Sequence, residues 1–343
     1  MKTQARYVKP GRIEIGTGQT DPPAPGEVRI EVAYTGLCGT DLHVYHGHMD
    51  HRVRAPAVIG HEMSGTIAAV GAGVSGWADG DHVTVMPLAW DGTCAACLAG
   101  HQHVCQNLEF IGIDSPGALQ SSWNVRAEHV LRLPSSLGLR HAALVEPVAV
   151  AVHDVRRGEV RPGDRVVVLG GGPIGVLIAH VARQAGAEVA VFEVDAGRRT
   201  LADRCGFRTA DPLAVDQIAW VEAWTAHAGA DVVFEVSGST AAVAAAPALT
   251  KVRGRLVVVA IHPEPRPVDL HRVFWRELTI VGARVYTRDD FASAIALLDS
   301  GVIPADELIT KVVPLPDAGT AFAELAAGGA MKILIDCQAG RPS

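Results

Sequence analysis

Three groupings of side chains in this 343-residue chain have the types and spacings that chemistry requires. The densest is Asp91-Gly92-Thr93-Cys94-Ala95-Ala96-Cys97 followed by Cys105, which places three of the six cysteines within twelve residues. Cysteines at n and n+3 can aim at one tetrahedral zinc, and Cys105 can close a loop onto it. The fourth position is open to Asp91, which keeps the same three-residue step, with His101 and His103 as competitors. A second grouping is dispersed: Cys38 in Gly36-Leu37-Cys38-Gly39-Thr40-Asp41, and His61-Glu62 after Gly60. A thiolate, an imidazole and a carboxylate suit a zinc, although Cys38 as a buried thiol and His61 as a core histidine are the plainer alternatives.

The third grouping is Gly170-Gly171-Gly172-Pro173-Ile174-Gly175, which fits G-x-G-x-x-G. Gly170 permits a tight turn, Gly172 lets a pyrophosphate approach the backbone, and Gly175 lets helix and strand pack closely. The helix that opens at Pro173 supplies free N–H groups and a partial positive charge for the phosphates. Glu193 lies 18 residues past Gly175, where an acid binds a ribose 2′-hydroxyl and repels a 2′-phosphate. NAD is therefore expected over NADP, a preference that Arg198 and Arg199 lie close enough to soften.

These residues need elements to hold them. Before about residue 150 the chain is rich in glycine, proline and short alternating runs; in 27–32, Val28, Ile30 and Val32 alternate with Arg29 and Glu31. Residues 63–70 and 80–85 read as further strands, with no long helical pattern before about Leu139. From about Arg161 strands and helices alternate. Strands are expected at 164–169, 188–193, 231–235, 254–260 and 278–281, with helices at 216–228 and 239–249, as in a doubly wound parallel sheet. The tail predicts helices at 289–299 and 317–327 and a strand at 332–335.

Composition narrows the function classes. Thirty basic against 37 acidic residues leave a net charge of −7, which argues against a nucleic-acid or anionic-membrane partner. The most apolar stretch, 166–182, carries four glycines and a proline and makes a poor membrane span. With no apolar core of a signal peptide at its start, the chain is expected in the cytoplasm.

Taken together, Cys38-Gly39-Thr40-Asp41-Leu42-His43, Gly60-His61-Glu62, the cysteine lobe, Glu146-Pro147 and the glycine turn resemble the zinc-dependent medium-chain alcohol dehydrogenases. The match is nearest to the polyol, 2,3-butanediol and threonine dehydrogenase branch. The resemblance implies a GroES-like catalytic domain of residues 1–150 and 287–343 and a Rossmann NAD-binding domain of 151–286. It implies a catalytic zinc on Cys38 and His61, with Glu62 as ligand or near neighbour and Glu146 as a further, exchangeable ligand. Thr40 and His43 match the relay that carries the alcohol proton to solvent. Lys332 matches a cation at the cofactor diphosphate, and Asp91, Cys94, Cys97 and Cys105 match a structural zinc site whose first position departs from cysteine.

The reaction so implied removes a hydroxyl proton and passes a hydride to NAD, with a zinc acting as Lewis acid. The substrate is expected to be a small polar secondary alcohol, polyol or vicinal diol, with Arg284 and Tyr286 as possible contacts. A threonine or simple secondary alcohol dehydrogenase is the nearest alternative. A zinc-free quinone reductase would make Cys38, His61 and Glu62 incidental, and a non-catalytic NAD- and zinc-binding sensor would leave Thr40 and His43 without a task. The strand at 278–281 resembles one that extends a sheet across a dimer interface, and a homotetramer or homodimer is expected.

Overall fold

The computed structural model describes residues 1–328 and 330–340. The chain divides into two compact units, Met1–Glu146 with Phe291–Ser343, and Pro147–Asp290. The second unit is thus inserted into the first.

Unit 1 is built on a seven-stranded sheet, mainly antiparallel. Along its central path run Ile309–Pro314, Lys332–Asp336, Glu27–Gly36, Glu62–Val70, His82–Val85 and Val130–Arg132, with Ser122–Arg126 also pairing to Glu27–Gly36. The expected alternation holds in Glu27–Gly36: Val28, Ile30 and Val32 are fully buried while Arg29 and Glu31 are not. These side chains join Tyr7, Ile67, Val83, Trp123 and Phe322 in one core. Each such side chain contributes roughly 1.5–3 kcal/mol by leaving water.

Two features of this unit went unread in the sequence. The hairpin of Lys2–Lys9 and Arg12–Gly18 carries charges on both faces, so period two is faint there. The helix Gly39–Tyr45 is only seven residues long and is recognisable by its cap rather than its periodicity. The strand expected at 332–335 forms as Lys332–Asp336.

Unit 2 is a six-stranded, wholly parallel sheet, in spatial order Arg208–Ala210, Glu188–Phe192, Arg165–Leu169, Ala230–Glu235, Thr250–Val258 and Thr279–Gly282. The order reverses beside Arg165–Leu169, the first strand of the unit, as in a Rossmann fold. Val166, Val167, Val168 and Leu169 are buried because helices cover both faces of such a sheet. The helix expected over 216–228 ends earlier, as Gln217–Trp224, because Ala226 and His227 adopt positive φ of 51° and 65°. Among the described residues no helix is long and apolar enough to cross a membrane.

The helix Val145–Arg157 carries, in its portion belonging to unit 2, a buried carboxyl, Asp154, neither oxygen of which has a hydrogen-bond partner. Burial, with the charge of Asp290 nearby, holds its pKa well above the usual carboxylate range. The folded chain thus binds this proton more tightly than the unfolded chain. Stability from this group is full at pH below the ordinary carboxylate range and is lost as pH rises toward the folded value. An Asp154→Asn protein is expected to melt higher than the parent at about pH 8, by roughly 1–3 kcal/mol, the gap closing toward about pH 4. Melting curves across that range check it; a variant that melts lower at every pH would contradict it.

Candidate active site and metal centres

Three strand ends of unit 1 converge on one point. Glu27–Gly36 pairs antiparallel with Glu62–Val70, placing Gly36 opposite Glu62. On its other side it pairs with Lys332–Asp336, with Leu334 opposite Gly36, so Lys332 falls level with Cys38 just past the strand. Cys38 is the N-cap of Gly39–Tyr45, and its sulfur accepts the Thr40 N–H at 3.2 Å. Asp41 returns the contact by accepting the Cys38 N–H at 3.0 Å, which closes a capping box.

The cap aims the Cys38 sulfur at the imidazole of His61, with Sγ and Nε2 3.1 Å apart. One ligand atom each from Cys38, His61 and Glu62 lie within 4.8 Å of one another. His61 and Glu62 are 3% and 1% exposed, and burial pushes the Cys38 thiol up against the opposing pull of His61. A soft sulfur, an imidazole nitrogen and a carboxylate brought together away from water form a donor set that suits zinc. The other ring nitrogen of His61, buried and without a hydrogen bond, lies 3.7 Å from Asp41 Oδ1. Asp41 therefore stands where an outer carboxylate orients a metal-bound histidine. The sequence reading passed over it, although its place three residues after Cys38 marks a capping box.

The structure also places the remaining expected residues. Glu146 sits in the first turn of Val145–Arg157, buried, and its charge is felt at both His61 and Lys332. Thr40 is half-buried beside Cys38. His43 is exposed, with its Nδ1 3.5 Å from Nδ1 of His48; partial burial and the neighbouring His48 and His46 lower its pKa. Lys332 has partners that the sequence did not reveal. Its ammonium is buried and donates to both oxygens of Glu62, at 2.8 and 2.6 Å, and to the Leu37 carbonyl at 3.1 Å. Three donors are thus in use within unit 1, on Glu62 and on the Leu37 carbonyl.

In the cysteine lobe, ligand atoms of Asp91, Cys94, Cys97 and Cys105 lie within 4.8 Å of one another. Neither His101 nor His103 joins this group among the described residues. Backbone N–H groups of Gln106 and Asn107 donate to the sulfurs of Cys94 and Cys105 at 3.4 and 3.3 Å. Asp91 accepts the N–H groups of Thr93 and Cys94 at 2.8 and 2.9 Å and the amide of Asn107 at 2.6 Å. Led by the Cys94 N–H, these bonds hold its carboxyl well below the usual range. An ionised carboxylate completes a donor set fit for a tetrahedral zinc.

In unit 2 the glycine turn follows Arg165–Leu169 and leads into Pro173–Gln184, with Gly172 as N-cap and Pro173 at the first position. Gly170 adopts φ +113°, which favours glycine, and a Cβ at Gly175 would overlap the Gly170 carbonyl oxygen. At Gly172 the space is open: the nearest atom to an added Cβ is Arg198 Nη1, at 3.7 Å. Glu193 accepts the Gly171 N–H at 2.7 Å and the Asp195 N–H at 2.8 Å. The two arginines separate in role. Arg199 is tied to the carbonyls of Glu193 and Val194 and to Asp211, whereas the guanidinium of Arg198 lies beside Gly172.

Comparison with known proteins agrees with this geometry. Residues 24–135 match the family model of the alcohol dehydrogenase GroES-like domain, and residues 173–300 match that of the zinc-binding dehydrogenases. The 2-dehydro-3-deoxy-L-galactonate 5-dehydrogenase of Pseudoalteromonas atlantica is 48% identical over 336 residues, covering 98% of each chain. Among solved structures, 2R,3R-butanediol dehydrogenase from Bacillus subtilis superposes with a TM-score of 0.91 at 31% identity, covering all of both chains. A zinc-binding dehydrogenase from Sinorhizobium meliloti, bound to NADP, gives 0.92 at 31% identity, covering 98% of this chain and 99% of that one. The chain belongs to the zinc-dependent medium-chain alcohol dehydrogenases. Within them its relatives are polyol, diol and sugar-acid dehydrogenases, and it is an oxidoreductase of that group.

Proposed function

We propose that the protein oxidises a secondary hydroxyl of a polyhydroxylated substrate with NAD, reversibly, and that its preferred substrate is a 2-keto-3-deoxy sugar acid oxidised at C5. The observation that carries the reaction class is the Cys38–His61–Glu62 grouping, with Cys38 half-buried and the other two buried. The relative at 48% identity favours the sugar acid over a plain diol. A zinc held there supplies a Lewis acid that lowers the pKa of a hydroxyl bound to it. Cys38 and His61 would hold the metal, with Glu146 as a further, exchangeable ligand, and Asp41 would fix the ring of His61. Thr40 accepts the hydroxyl proton and passes it to His43, whose lowered pKa leaves it neutral and able to accept.

Cofactor binding falls to unit 2. The backbone at Gly170, Gly172, Pro173, Ile174 and Gly175 receives the pyrophosphate at the helix N-terminus. Glu193 retains lone pairs for a ribose hydroxyl beside its two backbone bonds. Its charge favours NAD, and Arg198 gives NADP a measurable second place. Six free cysteines fit a reducing, cytoplasmic setting. The edge strand Thr279–Gly282 and the exposed Leu270, Phe274 and Trp275 suit a second copy and a homodimer or homotetramer.

The test is a nicotinamide absorbance assay with NAD and then NADP, offering 2-dehydro-3-deoxy-L-galactonate, sorbitol, 2,3-butanediol isomers and threonine. Chelator-sensitive turnover fastest on the sugar acid is expected. Turnover confined to the diols would remove the sugar-acid assignment, and silence with NAD still bound would point to a sensor. The lobe gives a separate prediction. Asp91→Ala is expected to lower metal content by one equivalent per chain and stability by about 2 kcal/mol, since a ligand and a loop cap go together. Metal analysis after gel filtration, with a melting curve, checks both.

A further inference from the structure

The helix Gly39–Tyr45 ends in a way that brings two histidines together. His46 is its C-cap, and Gly47 follows with φ +80°, the left-handed conformation that favours glycine. The Gly47 N–H donates to the Val44 carbonyl at 2.8 Å, and the His48 N–H donates to the His43 carbonyl at 2.9 Å. Those two bonds define a Schellman motif. The motif folds the residue just beyond the glycine back against the last turn of the helix, where two apolar side chains commonly meet. In this chain both positions are histidine. Their Nδ1 atoms lie 3.5 Å apart and their ring centroids 5.8 Å apart. His46 stacks on His48, with centroids 5.8 Å apart and planes 27° from parallel.

Facing imidazole nitrogens need a proton or a cation between them, since two rings that both carry their proton on Nε2 set lone pair against lone pair. A tetrahedral zinc with Zn–N of about 2.0–2.1 Å holds two ligand nitrogens about 3.4 Å apart. The backbone motif has already set His43 and His48 at that separation. Both residues are exposed, so a zinc ion in solution reaches them. Among the described residues no third histidine, cysteine or carboxylate lies within 4.8 Å of both, and water completes the coordination.

We propose that His43 and His48 form a second, exchangeable zinc site, and that a zinc bound there inhibits the enzyme. A neutral imidazole has one nitrogen lone pair to give. A metal on Nδ1 of His43 occupies it and leaves the ring proton on Nε2, so the ring no longer accepts the proton that Thr40 passes on. With two neutral ligands and no thiolate, the pair fills only when free zinc exceeds what the cysteine-containing sites retain. The binding stands on the geometry of the pair, whereas the inhibition rests on the assignment of His43 as proton acceptor.

The experiment uses the full chain with its resident metal, freed of excess by gel filtration, as parent, His48→Gln, His46→Gln and His43→Gln. Zinc chloride is titrated into each and followed by calorimetry. Turnover is followed in parallel on the substrate selected by the absorbance assay, each variant scaled to its own rate before zinc is added; His43→Gln is read by calorimetry alone. The parent is expected to take up one further zinc per chain and to lose turnover along the same curve, regaining it on dilution. In His48→Gln that uptake weakens about tenfold or more, since loss of even an outer partner costs a metal site that much. Its inhibition shifts by the same factor. His43→Gln loses the uptake equally, and His46→Gln stays near the parent.

Uptake unchanged in His48→Gln or in His43→Gln overturns the site. Uptake at the pair with turnover untouched overturns the inhibition and the place of His43 in the proton path. A parent that binds the further zinc through this pair and yet turns over no alcohol supports the site and overturns the proposed reaction.

Discussion

Cys38→Ser is expected to lower turnover by about 10³-fold or more while cofactor affinity stays within about twofold of the parent. The substitution is unusually clean at this position. Cys38 caps Gly39–Tyr45 through its side chain, and serine is among the best residues for that task. The helix, the capping box with Asp41 and the path of the strand are therefore retained. What is lost is an anionic sulfur ligand, because a serine hydroxyl stays protonated where a thiol ionises onto zinc. Cofactor contacts assigned to Gly170–Glu193 lie in unit 2 and share no residue with the substitution. Turnover, metal content and cofactor titration on one preparation test the division. An equal loss of cofactor affinity would sink it.

The glycine turn yields the second large effect, as a contrast between two neighbours. Gly175→Ala places a methyl on the Gly170 carbonyl oxygen, backbone that cannot rotate aside. The strand-to-helix connection must then spread, at a cost of about 3 kcal/mol, and cofactor binding weakens with it. Gly172→Ala meets nothing closer than 3.7 Å, so the folded chain accepts it at no more than about 1 kcal/mol. Its methyl instead occupies the side from which the pyrophosphate approaches, and cofactor affinity is expected to fall at least about 30-fold. Thermal melts with and without NAD separate the two. Gly175→Ala melts low in both conditions, whereas Gly172→Ala melts like the parent alone and gains little from NAD. If both variants bound NAD as the parent does, the turn would not be the pyrophosphate site.

Much of this was legible before any coordinates, for stated reasons. The strands of unit 2 are short apolar runs buried on both faces, and the glycine turn sits between two strong periodic signals. Cys94, Cys97 and Cys105 are close in sequence, so spacing alone brings them together. Cys38, His61 and Glu62 were harder. Nothing local joins residues more than twenty apart, and family resemblance rather than periodicity paired them. Asp41 went unread because its job is a cap on a seven-residue helix. The pairing of Lys332 with Glu62 went unread because it is set by strand register across a sheet, and register cannot be read from one strand.

That register has a consequence for how the protein is made. Lys332 and Glu62 are 270 residues apart in sequence, and the strand that carries Lys332 is the last of the described chain. Unit 2 is one continuous segment and can fold as it leaves the ribosome. Unit 1 must wait with residues 34–36 of Glu27–Gly36 unpaired along one edge until the final strand arrives, residues 27–31 of that edge being taken by Ser122–Arg126. During synthesis Cys38 and His61 are available to metals well before Lys332 reaches Glu62. A nascent chain can thus meet its metal before the ion pair of Lys332 and Glu62 has formed.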